Sequence, residues 1–222
     1  MIKIKFNRLQ WFVHLSSLIP FVVLVWDAFT NNLTVNPIQE ITQRTGLTAI
    51  IWLLLSLACT PLNVVLGLKP FNQVRRPLGL YSAFYAGLHV GTFFILDYGF
   101  NFSLIFQTII EKPYVLLGFL GFLVLLALTL TSTKKSMRKL GKKWSSLHSL
   151  VYPASLVLLL HYFMSLKFID SLAITIGTSL STLLLIRIPF IRKFFVHHQP
   201  NWARNVNNFL TGRKRRTVTI KK

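Results

Sequence analysis

The sequence predicts an all-α fold, a polytopic membrane bundle of about six transmembrane helices, and three observations carry that prediction. Hydrophobic residues make up 53% of the 222-residue chain and charged residues only 14%, whereas a soluble domain carries about 25% charge. The deficit is uneven, because long apolar runs alternate with short charged ones. The runs are also continuously apolar rather than alternating, which argues against barrel strands. In lipid, only helices and closed barrels pair all their own backbone groups.

Each run has the roughly 17–25 residues needed to cross about 30 Å of hydrocarbon. The first span is expected near Trp11–Phe29, the second over Gly46–Leu68 and the third over Leu78–Leu96. The fourth follows at Tyr114–Thr131, the fifth at Ser145–Leu166 and the sixth at Phe168–Ile188, with a very short turn between the last two. The segment 97–113 reads as a loop, with room for a helix lying on the surface. Lys3, Lys5 and Arg8 precede the first apolar run as they would in a signal peptide. No small-x-small cleavage site follows and the apolar core is long, so this run is expected to be a retained helix. The chain thus divides into an N-terminal tail (1–10), a membrane domain (11–190) and a basic C-terminal tail (191–222).

Orientation follows from the placement of Lys and Arg. Of 25 such residues, 22 fall in the N-terminal tail, the 69–77 and 134–143 loops, and the segment from Arg187 onward. Arg44, Lys112 and Lys167 fall in the other loops, and all five acids (Asp27, Glu40, Asp97, Glu111, Asp170) lie on or near that second side. Both termini are therefore expected in the cytoplasm of a bacterial cell, with the chain in the inner membrane. The same asymmetry accounts for the net charge of +20 without a nucleic-acid partner. Arg213-Lys214-Arg215-Arg216 reads as a contact with anionic membrane lipid. A lone cysteine, Cys59, forms no intrachain disulfide, and the sequence holds no C-x-x-C-H for covalent haem attachment.

Six histidines are the chemically informative residues. His197 and His198 lie in the tail and read as solvated. His14, His89, His148 and His161 fall inside spans, where ionisable groups are costly and face the bundle interior with a partner. His89 lies seven residues before the end of its span and His161 five before the end of its own. At 1.5 Å per residue both are about 8–10 Å deep, on the same half of the membrane. Two neutral imidazoles converging at one depth can hold a haem iron from both faces. His148 is about 20 Å lower on the same helix as His161, and His14 enters the first span at a similar depth, so a second, lower haem is geometrically open to them. The competing reading is that each histidine simply hydrogen-bonds across helices.

Several stretches resemble a known family: "HLSSLIPFVVLVWDA" from His14, "NPIQEITQRTG" from Asn36, "ACTPL" from Ala58, "RRPLGLYSAFYAGLHV" from Arg75, "EKPYVLLGF" from Glu111, "LTLTST" from Leu128 and "RKLGKKWSSLHSLVYPASLVLLLHYF" from Arg138. Over about residues 11–170 the chain is similar to the MsrQ family, the haem-binding membrane subunits of the bacterial periplasmic protein-methionine-sulfoxide reductase system. That family sits among the ferric reductase-like transmembrane domains. The resemblance implies one or two b-type haems and places His89, His148 and His161 in ligand positions. It also admits FMN, which some members are described as binding. The wider superfamily places two histidines on each of two helices, but 13–14 residues before His89 this chain has Arg75 and Arg76. His14 could replace the missing ligand, and Arg75 and Arg76 could hold a phosphate or haem propionates, or serve only as topology charge and lipid contact.

The implied function is electron transfer, with no catalytic residues of the chain's own. Electrons would enter from a cytoplasmic flavin reductase or the quinol pool and leave to a periplasmic molybdenum-containing enzyme that reduces methionine sulfoxide in oxidised envelope proteins. A stand-alone ferric reductase is the nearest rival, although the tail is short for a fused flavin and nicotinamide domain. A histidine-using transporter would instead favour acids at mid-membrane and broken helices in paired repeats.

Overall fold

Asn7 opens the first helix with a capping box. Its side chain accepts from Gln10 N–H at 2.8 Å, and the Gln10 side chain accepts from Asn7 N–H at 3.0 Å, which satisfies two of the donors a helix start leaves over. The computed structural model describes residues 7–197, together with Trp202, Val206, Phe209 and Leu210. Most of the basic tail, including Arg213–Arg216 and His198, lies outside the described residues, as does the side chain of His197.

Among the described residues the chain is helical, with no strand. Helix α1 runs Arg8–Phe29, α2 Pro37–Leu66 and α3 Phe71–Gly91, the last continuing into a π-helical segment, Thr92–Asp97. Then come α4 (Phe102–Glu111), α5 (Pro113–Leu130), α6 (Lys134–Leu140), α7 (Lys142–Ser149), α8 (Val151–Ser165), α9 (Ser171–Leu185) and α10 (Pro189–His197). Five segments are long and apolar enough to cross a membrane: Arg8–Phe29, Pro37–Leu66, Phe71–Asp97, Pro113–Leu130 and Lys142–Ser165. They match the first five expected spans.

The differences have local causes. The second helix starts at Pro37, well before the expected Gly46, because Asn36 caps it and Pro37 occupies the first turn, where a missing N–H costs nothing. Residues 97–113 contain the surface-type helix α4, capped by Asn101. The sixth expected span is a 15-residue helix, α9, which starts where Asp170 caps Ala173 N–H and ends shortly before Pro189. It is shorter than a full crossing. The fifth span is divided. α7 ends at Ser149 and α8 starts at Val151, because Pro153 has no N–H to donate to the carbonyl four residues back.

The helices are joined by polar contacts as well as apolar packing, as expected where lipid offers no alternative partner. Ser82 Oγ donates to the Ala49 carbonyl and Ser56 Oγ to the Arg75 carbonyl, each at 2.8 Å, locking α3 onto α2. Tyr85, almost fully buried, enters the backbone ladder of α1. Phe21 N–H donates to the Tyr85 hydroxyl at 3.0 Å, and that hydroxyl donates to the Ser17 carbonyl at 2.7 Å. It thus bridges the i→i−4 pair next to Pro20, a recognised way for a helix to absorb a proline. Large apolar side chains such as Phe12, Ile19, Val22, Leu120 and Leu160 point outward. On a membrane protein these form the lipid-facing surface. At one end of the bundle Arg44 joins Asp27 (2.5 Å) and Glu40 (3.0 Å).

Candidate functional site

Two helix pairs, α2 with α3 and α5 with α8, each hold one histidine in the same way. His89 on α3 lies against α2, with Nδ1 2.8 Å from the Thr42 carbonyl oxygen. His161 on α8 lies against α5, with Nδ1 2.6 Å from the Tyr114 carbonyl oxygen. A carbonyl can only accept, so each Nδ1 carries the proton and each Nε2 keeps its lone pair. Four residues beyond each carbonyl is a glycine. A Cβ on Gly46 would stand 2.9 Å from His89 Nδ1, and one on Gly118 would stand 2.7 Å from His161 Nδ1 and Cε1. Any other residue would push the imidazole off its helix, so glycine is what permits this docking.

The two rings then meet across the bundle, with centroids 6.0 Å apart and planes at 74°. Tyr114 stacks on the His161 ring at 6.3 Å and 28°. Sequence reasoning brought these histidines to one depth, and the structure brings their rings into edge-to-face contact. The spacing can be tested against a shared metal. An imidazole nitrogen binds a first-row metal at about 2 Å, so two rings on opposite sides of one ion have centroids about 6 Å apart. With Nδ1 bonded to a carbonyl and Nε2 available, both rings also have the tautomer and outer-shell support of metal-ligating histidines. The residues fit a haem iron. Among the described residues no group of three or more His, Cys, Asp or Glu is placed to hold a metal ion of another kind.

The other predicted residues are not gathered in this way. His148, on α7, stacks on Trp144 at 4.0 Å, and its Nε2 lies 3.2 Å from Thr131 Oγ1. Nδ1 of His14, on α1, lies 3.0 Å from the Tyr81 hydroxyl. Among the described residues no ring contact joins His14 and His148. Arg75 and Arg76 also diverge. Arg76 is exposed and donates to the Ser132 carbonyl, whereas Arg75 turns inward toward Thr60 and Tyr152, at 3.4 Å from each.

The family described as "Ferric reductase like transmembrane component" matches residues 45–159, a stretch that includes His89 and His148 and stops two residues before His161. The "Protein-methionine-sulfoxide reductase heme-binding subunit MsrQ" of Deinococcus radiodurans is 44% identical over 156 residues, covering 70% of this chain and 77% of that protein. The chain belongs to the MsrQ family. The MsrQ proteins of Xanthomonas euvesicatoria pv. vesicatoria and Xanthomonas oryzae pv. oryzae are each 38% identical over 161 residues, covering 70% of this chain and 74% of theirs. In this MsrQ-family chain, Gly46 and Gly118 are the site residues that sequence reasoning missed. The signal for them was a shared interval, since each His docks on a carbonyl 47 residues earlier, with a glycine four residues after that carbonyl.

Proposed function

We propose that the chain is the haem-carrying electron-transfer subunit of a membrane-bound protein-methionine-sulfoxide reductase system, and that His89 and His161 would together hold the iron of one b-type haem. The observation that carries this reading is the opposed imidazole pair at 6.0 Å. A haem bound there supplies one-electron transfer within the membrane. The chain's own residues do the positioning. The Thr42 and Tyr114 carbonyls fix both rings in the Nδ1–H tautomer and raise the basicity of Nε2, and Gly46 and Gly118 let the rings lie flat against α2 and α5. Apolar helix faces exclude water and lower the local dielectric, both of which tune the potential of a bound haem.

The pair lies toward the acidic end of the bundle. By the placement of Lys and Arg that end faces the periplasm, with both termini cytoplasmic and the chain in the inner membrane. There the chain delivers electrons to a molybdenum-containing catalytic subunit. Reduction of one methionine sulfoxide takes two electrons and two protons and yields the thioether and water, a repair that the reversibility of this lesion allows. Electrons enter at the basic end, from a flavin reductase or from quinol. The resemblance to flavin-binding members also admits FMN.

The decisive experiment is the absorption spectrum of the detergent-purified protein, oxidised and dithionite-reduced, with haem quantified per chain. One low-spin b-type haem per chain is the expected result. A chain that stays free of haem when expressed with ample haem supply would overturn the reading.

A further inference from the structure

Helix α4 connects the end of the third span, Asp97, to the start of the fourth, Pro113. Its 10 residues make it about 15 Å long, about half of what a crossing needs. Both of its neighbours in the chain are span ends, so α4 begins and finishes at the same membrane surface, at the end of the bundle opposite the basic loops.

The side chains of α4 sort into three strips. Ile105 and Thr108 are buried, and Thr108 Oγ1 donates to the Tyr98 hydroxyl at 3.0 Å. The Tyr98 ring lies 4.6 Å from that of Phe93, which is one turn beyond His89, so this strip fastens α4 to the segment that continues α3. Phe102, Phe106 and Ile110 form the second strip and are 67%, 66% and 61% exposed. Ser103, Gln107 and Glu111 form the third, also exposed, with Gln107 Nε2 donating to Glu111 Oε1 at 2.7 Å. Residues four apart drift only about 40° around a helix, and the two exposed strips are offset by one residue, about 100°. Each therefore runs unbroken from the first turn to the last. Leu104, exposed as well, falls between the polar strip and the buried face.

An apolar strip beside a polar one, both of full length, suits surroundings that change from oil to water across the helix axis and not along it. That is the pattern of a helix lying in the membrane interface. In water, a row of large exposed apolar side chains would be a liability. Upright in hydrocarbon, the helix would carry Gln107 and Glu111 with it at a cost. The apolar strip also has a lipid-facing neighbour in the end of the third span, where Ile95 and Leu96 point outward. We propose that α4 lies flat in the interface, with Phe102, Phe106 and Ile110 inserted among the acyl chains of that leaflet and Ser103, Gln107 and Glu111 facing water. The occupant of the apolar strip is lipid. Fastened to α3 through Tyr98 and leading into α5 through Lys112 alone, the inserted helix holds the ends of both at one level of the membrane. The proposal does not depend on the electron-transfer reading.

The test uses the full chain in nanodiscs of phosphatidylethanolamine and phosphatidylglycerol. Nitroxides are attached to Phe106→Cys, Ile110→Cys and Gln107→Cys variants, each also carrying Cys59→Ala. Collisions with oxygen, which concentrates in lipid, are compared with collisions with a water-soluble nickel chelate. Oxygen should prevail severalfold at residues 106 and 110, and the nickel chelate at residue 107. Preference for the chelate at 106 and 110 would overturn the proposal and leave that face to a soluble protein partner. Poor access of both reagents there would also overturn it, because a second copy of the chain would then cover the face. Preference for oxygen at 107 would rule out the flat orientation. The unmodified chain supplies an independent measurement that stands even where a labelled variant fails to insert. A carbene released from the acyl chain of a photoactivatable phosphatidylcholine should tag Phe102, Phe106 or Ile110. Tags on the first span with none on these three residues would refute the insertion of α4.

Discussion

The α2–α3 pair and the α5–α8 pair are two versions of one device. Carbonyl, glycine and histidine recur at a constant offset of 72 residues: 42 and 114, 46 and 118, 89 and 161. The correspondence ends lower in the bundle. The same offset carries His148 back onto Arg76, so one pair has a histidine where the other has an arginine bonded to the Ser132 carbonyl. The upper layer is therefore symmetric and pairs two imidazoles, whereas the lower layer is asymmetric and leaves His148 with Trp144 and Thr131. The difference lies in the docking triplet: carbonyl, glycine and histidine are present on both sides of the upper layer, and the lower layer lacks them.

The strongest way to break this symmetry is to remove a ring. His89→Ala and His161→Ala are each expected to abolish haem binding while the chain still inserts, as measured by haem per chain and membrane fractionation. Retention of haem by both variants would remove the ligand assignment. Next in size are substitutions at the docking glycines. Gly118→Ala and Gly46→Ala place a methyl 2.7–2.9 Å from ring atoms and should weaken haem retention on the order of 10–100-fold, the scale of outer-shell losses. Gly79→Ala, on the same bundle but meeting only Ser56 Oγ at 3.4 Å, should leave haem retention unchanged. Equal effects at all three glycines would show that helix flexibility, and not ring docking, is at stake.

His148→Ala sharpens the contrast between layers. It is expected to leave haem per chain and the reduced spectrum unchanged, and a drop in haem content would mean that the lower layer ligates after all. The smallest effect is expected from Tyr85→Phe, which leaves Phe21 N–H and the Ser17 carbonyl without their bridge. A loss of about 1–3 kcal/mol follows from two buried groups left unpaired, read as a lower unfolding midpoint in detergent with haem ligation intact.

Hydropathy located the first five spans because burial in lipid acts on every residue of a run. It placed the start of α2 too late because Gln39, Glu40, Gln43 and Arg44 are polar, although Asn36 and Pro37 marked the true beginning. Counting residues along two helices brought His89 and His161 to one depth, since rise per residue is fixed. Whether the rings face each other depends on helix rotation, and hydropathy is nearly blind to rotation in a helix that is apolar all round. Gly46 and Gly118 escaped notice for the same reason, as their role is the absence of a side chain.

Pro153 has a consequence of its own. On one unbroken helix, 13 residues turn a side chain through about 220°, which would fix His148 on the face away from His161 whatever the lower half of the bundle required. The interruption at Leu150, next to the hydrogen bond that Pro153 cannot make, loosens that gearing. The lower segment contacts its own neighbours, with His148 on Trp144 and Thr131, and a disturbance at the basic end meets a gap in the hydrogen-bond ladder before it reaches the upper imidazole. A haem held by the upper pair would thereby be less tightly coupled to events at the opposite surface.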